Sequence, residues 1–425
     1  MKKSVLLFLF SVAAAVAFAD RSVTGITVKQ RWPWSDKIDV DFTLSATTNC
    51  DVKFSFSHHG TASGVSVTNK FSDATLYGVA PGEGHFTIDP ADFGLSDKAL
   101  GNFSVAAEEI VPVSDRTFIV VNLTNGSYEY MATRPADELG WTNDVYKSEK
   151  IVFRRVPAGT YTVGHTEAEM QLIKGSAPSA GEKNSILQRQ VTISSDYYIS
   201  IYPVTHWQRS WAKWTGGYSN NRSCTTMSFD ELRGMTNADT EVSINWPFTG
   251  LGEFGENTFL GKIREITGGK LMIDLPTETQ WEVAMRAGTT TIFPNGGTSS
   301  NTRDELQELW LEYSPIDSAE GVGLRKPNPW DIYNPVGMVY NWCLDVVSRT
   351  GTTNQEDNKS EGQSGTDPFG QAIQAGQPML RIGRGNGWNN GNSIGSLPGH
   401  RRAYVTSVAN AFRLAIHLAD PRIGR

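Results

Sequence analysis

Four groups of residues in this 425-residue chain have types that could do chemistry, and their spacing restricts what each can do. Three cysteines, Cys50, Cys224 and Cys343, are too few for a disulfide framework or a four-thiolate zinc site. Cys224 and Cys343 lie in the same half of the chain and form one candidate disulfide, with Cys50 left over, although spacing alone does not establish the required geometry. The seven histidines stand in no HxH, HxxxH or HExxH arrangement. His58 and His59 are adjacent, so on a strand they face opposite sides, and they read as a surface pair at a turn. Glu278 and Glu282 lie early in a helix, where the dipole favours them, and nothing elsewhere in the sequence converges on them as a catalytic pair. The fourth group is Trp388, Asn389, Asn390, Asn392, His400, Arg401, Arg402 and Tyr404. An aromatic plane beside amides and guanidinium groups suits carbohydrate, peptide or anionic-polymer recognition. Ser348 to Pro378, rich in Gly, Thr, Ser, Asn and Gln, precedes this group and is long enough to be a functional loop or a disordered one.

The elements that must hold these residues divide near residue 145. Residues 1–19 read as a cleaved secretory signal: Lys2 and Lys3, an apolar stretch from Val5 to Phe18, then the small-x-small pattern Ala17-Phe18-Ala19. That stretch is shorter than the roughly 20 residues a membrane span needs, and no later run resembles one. The expectation is export to the periplasm, cell surface or exterior. From 20 to 145, runs such as Ile38-Asp39-Val40-Asp41-Phe42-Thr43-Leu44 alternate apolar and polar residues. Several such runs broken by turn-rich segments predict an antiparallel β-sandwich of immunoglobulin-like type. Trp32-Pro33-Trp34 reads as a packing corner of it in preference to a binding platform.

From 150 to 418 the texture changes to short helices, many turns and scattered tryptophans. Thr205 can cap a helix in which Trp207, Trp211 and Trp214 recur as a core stripe. A second helix covers Asn257 to Ile266. In Leu275 to Gly288, Thr277 with Gln280 fits a capping box, Trp281, Ala284 and Met285 form an apolar face, and Gly288 stops the helix. A net charge of −7 lacks the footprint of a nucleic-acid binder.

Leu275-Pro276-Thr277-Glu278, Trp281-Glu282, Ala284, Arg286 and Gly288 resemble the LPTEAEWExAxRxG block of the sulfatase-modifying-factor family, also called the formylglycine-generating-enzyme family. Similar blocks follow the family's order: Phe153 to Gly164, Tyr197 to Thr205, Ser243 to Trp246, Pro327 to Tyr333, Gly337 to Asp345, Arg384 to Trp388, and Phe412-Arg413. The resemblance implies a C-type-lectin-like α+β domain over about 150–416, with Arg384, Trp388 and Arg413 as buried scaffold. It also implies what is missing. The family's oxidases resemble copper enzymes that use two cysteines between "RGGSW" and "GFR", and Asn389 to Ala411 contains none, so copper by that mechanism is not expected. The family's calcium turn resembles one using Asn and Glu where this chain has Met338 and Asn341; Asp345 is the only retained candidate. Asp274 replaces the Arg of "RLPTE". A related class of variable proteins ends on a similar Trp- and Asn-rich block.

The expectation is therefore an exported two-domain protein without the oxidase residues. It serves recognition or surface association through 348–378 and 384–404, with a glycan, sulfated polymer or protein as ligand. The competing expectation is a family oxidase with an altered, metal- and oxygen-dependent centre. Asn389, Asn390, Arg401 and Arg402 read either as a recognition surface or as ordinary solvated loop.

Overall fold

A computed structural model describes residues 17–18, 21–62, 65–90, 103–211, 220–234, 257–294, 321–336, 339–348, 355–357, 364–369, 379–385, 397–405, 407–418 and 423–424. The chain divides into two compact units, Met1–Arg116 with Leu418–Arg425, and Thr117–His417.

Alternation builds the first unit. Its strands are β1 (Ala17–Phe18), β2 (Arg21–Gln30), β3 (Ile38–Ser45), β4 (Cys50–Ala62), β5 (Val65–Val79), β6 (Gly82–Ile88) and β7 (Phe103–Pro112). They form two antiparallel sheets, β1-β2-β3-β6 extended by the strand Ile423–Gly424, and β5-β4-β7. In β3, Ile38, Val40, Phe42 and Leu44 are buried while Asp41 and Thr43 are exposed, the period of two that places one face on a core. The Phe54 ring lies 5.1 Å from that of Phe42 and 5.0 Å from that of Phe86, joining the sheets through one apolar cluster. Two local expectations change. His58 and His59 lie inside β4, opposite Asn69 and Thr68, and not in a turn. Trp32 and Trp34 are 39% and 75% exposed in the turn between β2 and β3, so they do not form a packing corner.

The second unit begins earlier than the expected boundary. Strands β8 (Phe118–Asn122) and β9 (Tyr128–Met131) pair with each other, and β8 pairs with β10 (Lys150–Val156) in register Val120↔Val152. Phe118 to Val121 are buried consecutively, and period-two reasoning cannot say which sheet such a strand joins. The further strands are β11 (Gly159–Val163), β12 (Arg189–Ile193), β13 (Tyr197–Ser200), β14 (Met227–Ser228), β15 (Ile273–Asp274), β16 (Asn341–Ser348), β17 (Gln355–Asp357), β18 (Gly365–Thr366), β19 (Met379–Arg384), β20 (Arg401–Tyr404), β21 (Ala409–Phe412) and β22 (Ala415–His417). Their sheets run β15-β22-β13-β10-β8-β9, β11-β12-β18 and β14-β21-β16-β19-β20-β17.

Short helices connect these strands, and local chemistry starts them. Thr205 Oγ1 accepts the Gln208 N–H at 3.1 Å while Gln208 Oε1 accepts the Thr205 N–H at 3.0 Å, a reciprocal cap. The helix that follows, His206–Trp211, buries His206, Gln208 and Arg209. Trp207 is only half-buried and Trp211 is 44% exposed, so the tryptophans are not a core stripe; Trp214 lies outside the described residues. The helix Phe259–Ile266 starts at Thr258, whose hydroxyl accepts the Gly261 N–H at 3.0 Å. Among the described residues no helix is long and apolar enough to cross a membrane.

Candidate functional site

The helix Glu278–Arg286 organises the residues singled out by the sequence. Thr277 and Gln280 cap it reciprocally, and Ala287 (φ 49°) and Gly288 (φ 78°) end it in left-handed backbone. All nine of its residues are buried, the polar face included. That face needs partners, because an ionised carboxylate away from water is strongly disfavoured unless paired.

The partners come from the far end of the sequence. Glu282 accepts from Arg286 Nε at 2.9 Å, from the Gly164 N–H at 2.7 Å and from an Arg384 guanidinium N–H. Burial alone would push the Glu282 carboxyl up, but Arg384, Arg286 and Arg189 together hold it well below the usual carboxylate range. Glu278 accepts two hydrogen bonds from Arg401, at 2.6 and 2.5 Å. Arg384 also donates to the carbonyls of Gly399 (2.7 Å) and His400 (3.2 Å), and its guanidinium sits 5.6 Å from the Trp281 ring centre. One helix thus anchors both ends of the segment between β19 and β20.

His165 reinforces the same anchor. Its Nε2 lies 2.9 Å from Arg286 Nη2 and 3.2 Å from the Gly399 nitrogen. Both neighbours are obligate donors, so Nε2 accepts and the ring proton sits on Nδ1. Burial first, then Arg286, keeps this imidazole neutral and its pKa well below the usual value. Convergence on Glu278 and Glu282 was not legible because Arg384 and Arg401 stand more than a hundred residues away. The available signal was two carboxylates at i and i+4 on a helix otherwise written for burial.

The expected ligand-side residues divide into three groups. Arg401 is 1% and Tyr404 2% exposed, which removes both from a solvent-facing surface. Arg401 is held by Glu278, and the Tyr404 ring packs 5.7 Å from Trp342 and 5.5 Å from Tyr340. His400 and Arg402 are half-buried, with His400 6.3 Å from the Tyr340 ring centre and Arg402 5.8 and 6.0 Å from the rings of Tyr340 and Tyr404. Trp388, Asn389 and Asn390 lie outside the described residues, as does most of 348–378. Within that tract β17 pairs with β20, Asp357 opposite Arg402 and Gln355 opposite Tyr404, so backbone from both tracts meets at one sheet edge.

The thiols and the calcium turn resolve differently. Cys224 and Cys343 are unpaired buried thiols, which corrects the candidate disulfide: Cys224 Sγ lies 3.8 Å from Thr226 Oγ1 and Cys343 Sγ 3.8 Å from the Asn341 carbonyl. Burial pushes the Cys50, Cys224 and Cys343 thiols up, Cys343 well above its ordinary value, which opposes thiolate formation. Asp345 is buried and its carboxylate accepts the Glu278 N–H at 2.6 Å, satisfying an amide of the helix's first turn. Asn341 donates to the Val339 carbonyl at 2.8 Å and leaves Oδ1 as a buried oxygen without a hydrogen-bond partner among the described residues. A calcium ion takes six to eight oxygens, and this pair does not supply them; Met338 lies outside the described residues. Among the described residues, no three His, Cys, Asp or Glu side chains gather so as to hold a metal ion.

One departure from the family pattern, and one retained arginine, have local explanations. Asp274 is buried and takes a two-pronged bond from Arg233 at 3.0 and 2.9 Å, so the changed charge has a partner. Arg413 is buried as expected and donates to the carbonyls of Ser200, Tyr333 and Asn334.

Comparison with known proteins follows the second unit. Residues 141–417 match the family described as Sulfatase-modifying factor enzyme 1-like domain. A serine/threonine-protein kinase pkn1 of Chlamydia pneumoniae is 30% identical over 115 residues, which are 27% of this chain and only 16% of that protein. Among solved structures, PvdO from Pseudomonas aeruginosa is 19% identical with a TM-score of 0.40, covering 63% of this chain and 94% of that one. Treponema denticola variable protein 1 is 18% identical with a TM-score of 0.42, covering 63% and 95%. CarF is 17% identical with a TM-score of 0.35, covering 63% and 98%.

Proposed function

Because the chain belongs to the sulfatase-modifying factor family by its match over residues 141–417, we propose that its second unit is a non-catalytic recognition module on an exported protein. It presents the tracts 348–378 and 384–404 to a glycan, a sulfated polymer or another protein. In this reading the first unit is an immunoglobulin-like sandwich, and the leader 1–19 directs export and is removed.

The observation that carries the reading is the double anchoring of one segment: Arg384 on Glu282 at its start, Arg401 on Glu278 at its end. Rigid stems beneath a variable surface are how scaffolds commonly carry binding. His400 and Arg402 stand at the rim of this base, and Trp388, Asn389 and Asn390 belong to the segment it supports. Arg401 and Tyr404 act from beneath, positioning the rim without touching ligand. Family fold alone does not confer the family's oxidation.

An array of neutral and sulfated glycans, probed with the full chain and with Trp388→Ala and Arg402→Ala, tests it. At least tenfold weaker binding by both variants to an array member is expected. No binding to any member, together with oxygen consumption by the wild type, would replace this reading by that of an oxidase with an altered centre.

A further inference from the structure

We propose that the first unit carries a binding site for neutral oligosaccharides on the outer face of its β2-β3-β6 sheet, beside the Trp32–Trp34 turn. The proposal concerns that unit alone and does not depend on the role assigned to 348–378 and 384–404.

The outer face is built as a set of mutually fixed polar side chains. Register places Thr27, Asp41 and His85 in one row across the three strands, and Asp39 opposite Thr87 in the next. Arg31 grips Asp39 through two bonds, at 2.9 and 2.7 Å, and Thr87 donates to the same carboxylate at 3.2 Å. His85 Nδ1 lies 2.7 Å from Asp41, and its other ring nitrogen 3.7 Å from Asp39. These contacts fix orientation without removing the groups from water: the Asp41 and His85 side chains remain 62% and 53% exposed. Preorganised, accessible acceptors and donors are what a polar ligand needs, because little side-chain entropy remains to be lost.

At the end of these strands the turn sets two indoles in solvent. Its backbone is closed by the Arg31 N–H donating to the Lys37 carbonyl at 2.8 Å and the Trp34 N–H to the Arg31 carbonyl at 3.1 Å. Trp34 is the most exposed large hydrophobic side chain among the described residues, at 75%, with Trp32 at 39%. Water contact with so much aromatic surface is unfavourable, and a ligand covering it recovers that free energy.

The charge pattern selects the occupant. Lys29, opposite Asp39, and Arg31 interleave with Asp39 and Asp41, so the face has no dominant sign to attract a polyanion or polycation. Apolar side chains laid over the exposed Asp41 carboxylate would strip its water without replacing those hydrogen bonds. A neutral sugar complements both parts: its C–H face lies against an indole, while its hydroxyls donate to the carboxylates and accept from the guanidinium.

Affinity electrophoresis of the full chain, in native gels containing mixed-linkage β-glucan, xylan, galactomannan or dextran, with heparin as the charged arm, tests the site. Retardation in at least one neutral gel is expected, relieved by the matching free oligosaccharide. Trp34→Ala and Asp41→Asn, both at exposed positions, should weaken it at least tenfold with unchanged melting temperature, and Trp388→Ala should leave it intact. Three results would overturn the proposal: no retardation in any neutral gel, retardation confined to heparin, or retardation that both first-unit variants retain. If Trp388→Ala alone abolishes retardation, this site falls while recognition by the second unit stands.

Discussion

The two units solve the same problem, filling an interior, with different chemistry. In the first, Phe42, Phe54, Phe56, Phe86 and Phe103 meet across two sheets in an apolar cluster, and the buried Asp51 pairs with Arg116 at 3.3 Å. In the second, Trp281 and Met285 share one buried helix with Glu278, Glu282 and Arg286, and the carboxylates reach across the fold to Arg384 and Arg401. An apolar core is non-directional and tolerates repacking if volume is kept. A buried ionic core is directional: each charge requires its partner in place, and removal of one member strands the others. The first unit is therefore defined mainly by shape, whereas the second is defined also by which loop ends are held where.

Breaking the ionic core should give the largest effect. Glu282→Gln keeps the volume but leaves Arg384 and Arg286 without their carboxylate, and a loss of about 3–5 kcal/mol in denaturant-unfolding free energy is expected. The acid limb of stability should be nearly as revealing. Burial lowers the pKa of His206 and His417 to about 4, and that of His165 well below its ordinary value. Between about pH 6.5 and 4 the unfolded chain binds more protons than the folded one, so stability is retained above 6.5 and falls as pH drops through this window. The limiting slope is about 1.4 kcal/mol per pH unit for each such histidine, measurable as melting temperature against pH. The contrasting isosteric swap in the apolar core, Ile38→Leu, should cost less than about 1.5 kcal/mol. Thr277→Ala, which removes one half of a cap, should cost about 1 kcal/mol. A chain in which Ile38→Leu proved as damaging as Glu282→Gln would erase the distinction between the units.

The same contrast explains what the sequence alone could disclose. The β3 pattern is local, and Ile38 to Leu44 announce a half-buried strand by alternation. The cap on Glu278–Arg286 is equally local, since Thr277 and Gln280 are three residues apart. Family motifs located the second unit, although not its start: β8 is buried on both faces and joins β10, beyond the reach of a periodicity argument. The site was legible by composition and not by burial. Arg401 and Arg402 are adjacent and chemically identical, yet one is buried on Glu278 and the other stands half-buried over Tyr340. Strand alternation separates them, and no feature of either residue says which faces inward. Trp32 and Trp34 differ in the opposite sense: an aromatic pair around a proline reads as a packed corner, yet both indoles stand in an exposed turn.

Metal content and oxygen uptake, measured together on the purified full chain supplied with copper or iron, decide between a second unit that recognises a ligand and one that oxidises it. The expected result is no stoichiometric redox metal and no oxygen consumption above buffer. Stoichiometric copper or iron, lost together with oxygen consumption in His400→Ala, would contradict it.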